Sequence, residues 1–208
     1  MDAFISLDLD FLNSPTYIGN MYGDTDYKSL AAYKTTIKRW LTIEEIKSKI
    51  EKKRAAFSRD NTASIFNLKG KVKEKVVYIN IDQHHNMYWH NKNNDIHSLS
   101  TSSFKPYECN INLFQENLIE KFIWVIPDYY GEQELKSHLS FNQEISKDEN
   151  KLYFHFIKNV DIEFEFIKWS DFNFSQYNIK FLSVVTNPQF SFVQPEELDE
   201  IKEIMSIW

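Results

Sequence analysis

Residues 76–86 read VVYINIDQHHN, and this stretch constrains the fold more than any other. It opens with β-branched and aromatic residues, which predicts a buried strand, and it ends in carboxylate, imidazole and amide groups. Residues 4–11, FISLDLDF, repeat the form. Four such polar groups at two strand ends are costly to bury unpaired, and a divalent metal ion is the simplest way to hold them together. The four predicted ligands are Asp8, Asp10, Asp82 and His84.

The rest of the chain predicts a scaffold of alternating strands and helices. We expect buried or half-buried strands at residues 3–8, 76–82, 122–126, 152–157, 161–167 and 181–185. We expect helices at residues 27–40, 42–57, 112–121, 131–140 and from 195 onward, with loops or polar connections at 11–26, 58–75, 91–103 and 142–150. This order predicts an α/β fold with a mainly parallel sheet flanked by helices, in one domain spanning residues 1–208. Ligands of such sheets bind beyond the carboxyl ends of the strands, where the four polar groups lie.

The donor set indicates which ion the site prefers. Mixed carboxylate and imidazole ligands suit a first-row ion such as Mn²⁺, Fe²⁺, Co²⁺ or Zn²⁺ better than Ca²⁺. Such an ion lowers the pKa of a bound water from 15.7 to roughly 7. His85 is a candidate proton shuttle or further ligand. The alternatives are a solvated strand end for the aspartates and ordinary polar packing for the histidines.

Composition restricts the classes of protein that fit. One cysteine, Cys109, excludes a disulfide framework within the chain, and it is more simply a buried thiol than a nucleophile. Acidic residues near the start argue against a signal peptide, and no apolar run reaches membrane-spanning length, so we expect a cytoplasmic protein with no membrane or nucleic-acid partner. The net charge is −6, yet residues 28–75 hold more than half of the lysines and arginines. An acidic partner or a solvated helix surface explains that basic region.

The two polar motifs resemble those of the ureohydrolase superfamily, which includes arginase and agmatinase and shares its fold with histone deacetylases. There, an Asp-x-His-x-Asp motif and an Asp-x-Asp motif each end a parallel strand and bind two Mn²⁺ ions. Residues 82–86 look like the first motif and residues 8–10 like the second. Both the short chain and the Asp-x-His-His sequence are most similar to the small atypical peptide arginases of ribosomal peptide pathways. Trp124-Val-Ile-Pro127 and residues 186–191 are similar to further segments of that family.

The resemblance implies an arginase-like three-layer fold and a function. One or two Mn²⁺ ions would bind Asp8, Asp10, Asp82, His84 and Asn86. The enzyme would hydrolyse arginine side chains of a precursor peptide to ornithine and urea. Glu108 and Asp128 are candidates to pair with the guanidinium, Glu108 and His85 are the predicted catalytic residues, and Asn13 and Asn112 are the predicted substrate-binding residues.

Two departures from the family pattern leave alternatives open. Asn86 stands where arginase has a ligating Asp, and the upstream Gly-Gly-Asp-His motif is missing. A single-metal amide hydrolase of the deacetylase type is therefore the nearest alternative, and a non-catalytic binding protein with a degenerate site is another. A phosphatase with an Asp-x-Asp nucleophile is a third, but residues 182–187, which imitate its second motif, leave no room for its later motifs.

Overall fold

A computed structural model describes residues 1–13, 39–50, 55–86, 110, 113, 117–133, 135, 145–148, 151–154, 162–186 and 195–206. The strands are β1 (Asp2–Asp8), β2 (Ala55–Ser58), β3 (Val76–Ile81), β4 (Ile119–Ile126), β5 (Ile145–Asp148), β6 (Lys151–Phe154), β7 (Ile162–Lys168) and β8 (Asn178–Val185). The helices are α1 (Ile43–Lys49), α2 (Asn61–Lys69) and α3 (Pro195–Ser206).

All eight strands form one sheet in the order β2-β8-β1-β3-β4-β7-β6-β5. Every neighbouring pair from β2 across to β7 is parallel. Strands β6 and β5 add an antiparallel edge beside β7. The predicted α/β fold with a mainly parallel sheet is thus confirmed, and the two candidate site strands, β1 and β3, are adjacent at its centre.

Helices cover both faces of the sheet. On one face, alternate residues of β1 (Ala3, Ile5 and Leu7) belong to the same apolar core as Ile46 of α1 and Met205 of α3. On the other face, the Ser6 hydroxyl lies 3.1 Å from the Ser64 hydroxyl of α2. This side also carries a stack of aromatic rings, in which Tyr78 lies 5.5 Å from both Phe4 and Phe122. The arrangement is three layers, with β1 and β3 buried between them.

Four sequence-based assignments were wrong in part. The predicted helix 42–57 begins at its capping box, where Thr42 and Glu45 exchange hydrogen bonds, but α1 ends at Lys49 and β2 follows by pairing with β8. The predicted connection 58–75 contains α2, whose N-cap Asp60 accepts a hydrogen bond from the Ala63 backbone N–H at 2.8 Å. The predicted polar stretch 142–150 contains β5, and the predicted helix 112–121 overlaps β4 from Ile119 onward. Pairing with the distant strand β8, which local sequence does not encode, explains β2, whereas β5 pairs with β6, the next strand along the chain.

Other predictions fall wholly or partly outside the described residues. These are most of the helices predicted at 27–40 and 131–140, and the loops after residues 13 and 86. Within the described part, Arg39 pairs antiparallel with Asn13 instead of ending a helix. No helix among the described residues is long and apolar enough to cross a membrane.

Candidate metal centre

The register of β1 and β3 places the two polar motifs side by side. Leu7 of β1 pairs with Ile81 of β3 in parallel. Asp8 and Asp82 each follow this pair by one residue, and Asp10 and His84 follow it by three. The carboxyl ends of the two strands therefore present Asp-x-Asp and Asp-x-His at matched positions.

The chain turns in the same way at the ends of β1 and β3. Asp8 Oδ1 accepts a hydrogen bond from the Asp10 backbone N–H at 3.1 Å, and Asp82 Oδ1 accepts one from the His84 backbone N–H at 2.8 Å. After β1, the turn continues as a short 3-10 helix at Leu9–Leu12. Each aspartate thus caps the turn that brings the residue two positions later over the sheet edge.

Asp10, Asp82 and His84 come together in this arrangement. Each offers a ligand atom, and the three atoms lie within 4.8 Å of one another. His84 Nδ1 lies 3.3 Å from Asp10 Oδ2 and 3.5 Å from Asp82 Oδ1. These distances exceed those of a good charge-assisted hydrogen bond, about 2.7–2.9 Å. They match the separation of two ligands on one ion with bonds of about 2.1 Å, which is roughly 3.0 Å in an octahedral and 3.4 Å in a tetrahedral shell.

The electrostatics of the cluster also favour a cation. Asp10 and Asp82 are buried, while the His84 side chain is about a quarter exposed. Burial, and then the neighbouring Asp82 carboxylate, raise the pKa of Asp10 to about 6. Burial and the charge of Asp8 raise the pKa of Asp82. Asp10 Oδ1 is fully buried and has no hydrogen-bond partner among the described residues, so a cation would satisfy an oxygen atom that the fold leaves unpaired. The residues present therefore fit one divalent ion.

Two of the predicted ligands, Asp8 and Asn86, hold other contacts. The second oxygen of Asp8, Oδ2, accepts a hydrogen bond at 2.9 Å from the side-chain amide of Asn61, on α2. Asn86 has a left-handed backbone with φ 54°, which asparagine tolerates better than most residues, and its side-chain amide donates to Asp82 Oδ2 at 2.5 Å. Neither residue belongs to the group of three, and their roles as ligands stay predictions.

His85, the predicted proton shuttle, is fully buried, and its ring packs edge-on against Trp124 with ring centroids 5.4 Å apart. Asn13 is also buried, and its side-chain oxygen accepts a hydrogen bond from the Arg39 guanidinium. Asp128 Oδ1 accepts from the Ser170 backbone N–H at 2.8 Å. Glu108 and Asn112 lie outside the described residues. The catalytic and substrate-binding roles proposed for these residues stay predictions.

Four side chains that sequence reasoning missed bind the backbone of residues 82–85, the motif that follows β3 (the β3 motif). The carbonyl oxygens of residues 82–85 each accept a side-chain hydrogen bond of 2.8 or 2.9 Å. The donors, in order, are Trp124, Tyr130, Asn80 and Asn110. The sequence offered a signal for one of these donors, Trp124, because a buried Trp on a core strand needs an acceptor for its indole N–H. The donors fix the segment that carries Asp82 and His84, as a preorganised site requires.

Comparison of the chain with protein-family models, with curated proteins and with solved structures found no match. The geometry of Asp10, Asp82 and His84 and the resemblance of the two strand-end motifs are thus what indicates a function.

Proposed function

We propose that this chain is a Mn²⁺-dependent hydrolase whose metal centre is Asp10, Asp82 and His84. The observation that supports this proposal most is the convergence of three ligand atoms beside the buried Oδ1 of Asp10, which has no hydrogen-bond partner among the described residues. If Asp10 only formed a structural ion pair with His84, nothing would explain a buried carboxylate oxygen that has no partner among the described residues. Ser6, Asp8 and Asn61 form polar contacts behind the cluster, so the centre is supported from the α2 side as well.

The ion would supply a Lewis acid and a bound water of lowered pKa. The protein's own groups do the rest. His84 Nδ1 and one oxygen of each aspartate would hold the ion, while the four side-chain donors keep the Asp82–His84 backbone fixed. The second carboxylate oxygen of Asp10 is the candidate acceptor for the proton of the attacking water, because it lies beside the ligand atom.

The proposed substrate is an arginine side chain of a precursor peptide. Water adds to the guanidinium carbon, the bond to the side-chain nitrogen breaks, and that nitrogen takes a proton to leave as the ornithine amine while urea is released. The proposal that the substrate is a peptide rests on the resemblance to the peptide arginases. We also propose a cytoplasmic location, with which a single cysteine is consistent.

Urea release tests the proposal. Chelator-stripped protein is reloaded with Mn²⁺ and incubated with arginine-containing peptides and with free arginine, and its metal content is determined on the same sample. We expect urea from the peptides, none from an Asp10→Asn variant, and unchanged urea from an Asp199→Asn variant, whose carboxylate is on the exposed side of α3. If the reloaded protein contains no Mn²⁺, the hydrolase proposal is contradicted and the non-catalytic binding protein becomes the better interpretation.

A second candidate is a single-metal amide hydrolase. The observation that favours it is the three-residue ligand set, because Asp8 and Asn86 lie outside the group and one ion accounts for its three ligand atoms. Amide hydrolysis produces no urea. Metal-loaded protein that releases amine from acylated lysine peptides, and no urea from arginine peptides, would establish this candidate and contradict the first.

A further inference from the structure

Gln83 lies between Asp82 and His84 in the chain, and its side chain crosses to the other half of the centre. It is only 3% exposed. Its amide Nε2 donates to the backbone carbonyl of Asp10 at 2.7 Å and to that of Asn13 at 3.2 Å. One side chain from the β3 motif therefore holds the peptide that carries Asp10, at both ends of the 3-10 turn.

Two tyrosines that follow β4 hold Gln83 in place. The Tyr129 hydroxyl lies 3.2 Å from Gln83 Nε2, where it shares the second amide hydrogen with the Asn13 carbonyl, and it donates to that carbonyl at 2.9 Å. The Tyr130 hydroxyl donates to the Gln83 backbone carbonyl at 2.8 Å. The ring of Tyr129 packs edge-on against Trp40 and Tyr130. Gln83, Tyr129 and Asn13 thus form a closed triangle of hydrogen bonds beside Asp10.

We propose that Gln83 is a positioning residue that sets the distance between Asp10 and the Asp82–His84 pair, and thereby the affinity of the centre for its ion. This inference rests on the proposed metal centre. A glutamine suits the role because it donates to two carbonyls without adding charge. A lysine would place a positive charge beside the ligands, and a glutamate would present oxygen atoms to carbonyl oxygens.

The test compares Gln83→Met with Asn67→Leu. Methionine keeps the length of the side chain and removes its donors. Asn67, on α2, donates one hydrogen bond to the Ser58 hydroxyl at 2.9 Å and serves as the matched amide away from the centre. Mn²⁺ affinity is measured by calorimetric titration of the stripped proteins, with circular dichroism to verify folding. We expect Gln83→Met to weaken Mn²⁺ binding by about 10–100-fold, the range for residues that orient metal ligands. Asn67→Leu should leave the affinity unchanged even where it lowers the melting temperature.

Tyr129→Phe is the second variant, and it decides the question if Gln83→Met does not fold. It removes the hydroxyl from the triangle and keeps the ring contacts, and we expect an affinity loss of about 3–10-fold, smaller than that of Gln83→Met. Folded variants with wild-type affinity would overturn the inference. Wild-type protein that binds no Mn²⁺ would overturn both the inference and the proposed function. Binding that depends on Gln83 without urea release would keep the inference and overturn the reaction.

Discussion

The aspartates at the ends of β1 and β3 make the same backbone hydrogen bond but differ in whether they belong to the candidate metal centre. An aspartate, the last residue of β1 and the first after β3, accepts a hydrogen bond from the backbone N–H two residues later in each case. After β3, that aspartate, Asp82, belongs to the candidate metal centre, whereas at the end of β1 the corresponding Asp8 does not. Hydrogen bonding does not separate the two aspartates, because an asparagine amide occupies the second oxygen of each. Asn61 of α2 takes the second oxygen of Asp8, while the second oxygen of Asp82 is taken by Asn86 of its own loop. Their positions do separate them, since Asp82 Oδ1 lies 3.5 Å from His84 Nδ1.

A strand-end motif thus specifies the place of a site, and the path of the chain beyond each strand decides which of its side chains converge there. Asp8 links the centre to α2, and Asp10, two residues later, supplies the ligand atom and the unpaired oxygen. On β3 the first and third positions both take part. Substitutions at the matched positions should therefore have unequal effects, and four of them test the comparison.

The largest effect is expected from removing a ligand of the centre. Asp10→Ala and His84→Ala should each weaken Mn²⁺ binding by more than about 100-fold, because two remaining side chains hold a first-row ion poorly. Both variants should retain the wild-type circular dichroism spectrum. Calorimetric titration measures the affinity, and tight binding by either folded variant would remove that residue from the centre.

The pH dependence of Mn²⁺ binding comes next in size. The ion requires ionised Asp10, and the pKa of Asp10 in the metal-free protein is about 6. Affinity should therefore fall at least about tenfold for each pH unit below 6 and level off above pH 7. A titration series from pH 5 to pH 8 measures this, and an affinity independent of pH over that range would show that no such proton competes with the ion.

Asp10→Asn should stabilise the metal-free protein at pH 7. The folded-state pKa of about 6 exceeds the ordinary value of 3.8, so the folded state binds more protons between these values. The free energy of unfolding of the wild type therefore falls as pH rises from about 4 to 6, and stays lower above 6. Removing the carboxylate should restore about 1–3 kcal/mol at pH 7.

Urea denaturation of stripped protein at pH 4 and pH 7 checks this result. Asp199→Asn, whose side chain is 77% exposed, serves as the control and should change the free energy of unfolding by less than about 0.5 kcal/mol. A destabilised Asp10→Asn variant at pH 7 would mean that the ionised carboxylate is well paired in the absence of metal.

The smallest effect is expected at Asp8. In Asp8→Asn, the side-chain oxygen can still accept from the Asp10 backbone N–H, and the new amide has the unpaired Oδ1 of Asn61 as an acceptor. Mn²⁺ affinity should stay within about threefold of wild type, with a loss of stability of about 1 kcal/mol or less. A loss of affinity comparable to that of Asp10→Ala would make Asp8 a ligand, as the Asp-x-Asp motif suggests by resemblance.

The sequence predicted the central part of the fold well, for a physical reason. Strands buried on both faces, such as β1 and β3, contain mostly apolar residues and were recognised from them. The capping box at Thr42 marks one helix start, and Pro195 marks another. Helix α2 was missed because its sheet-facing side carries Asn61 and Ser64 beside Ile65 and Leu68, so no apolar stripe distinguishes it from a polar connection.

At the site, the strand ends could be read from the pattern, and the supporting contacts could not. Asp10, Asp82 and His84 were predicted together because adjacent parallel strands end at the same edge of the sheet. The hydrogen bonds that Gln83 makes to Asp10 and Asn13 join residues about 70 positions apart. Such long-range contacts depend on the strand order, which the sequence of each strand does not encode.

The most direct measurement is the anomalous difference density of a Mn²⁺-soaked crystal. The account predicts one ion in contact with Asp10, with Asp82 and with Nδ1 of His84, and with none of the oxygens of Asn86. Absence of the ion, with His84 hydrogen-bonded directly to both carboxylates, or an ion bound by Asp8 instead of Asp10, would contradict it.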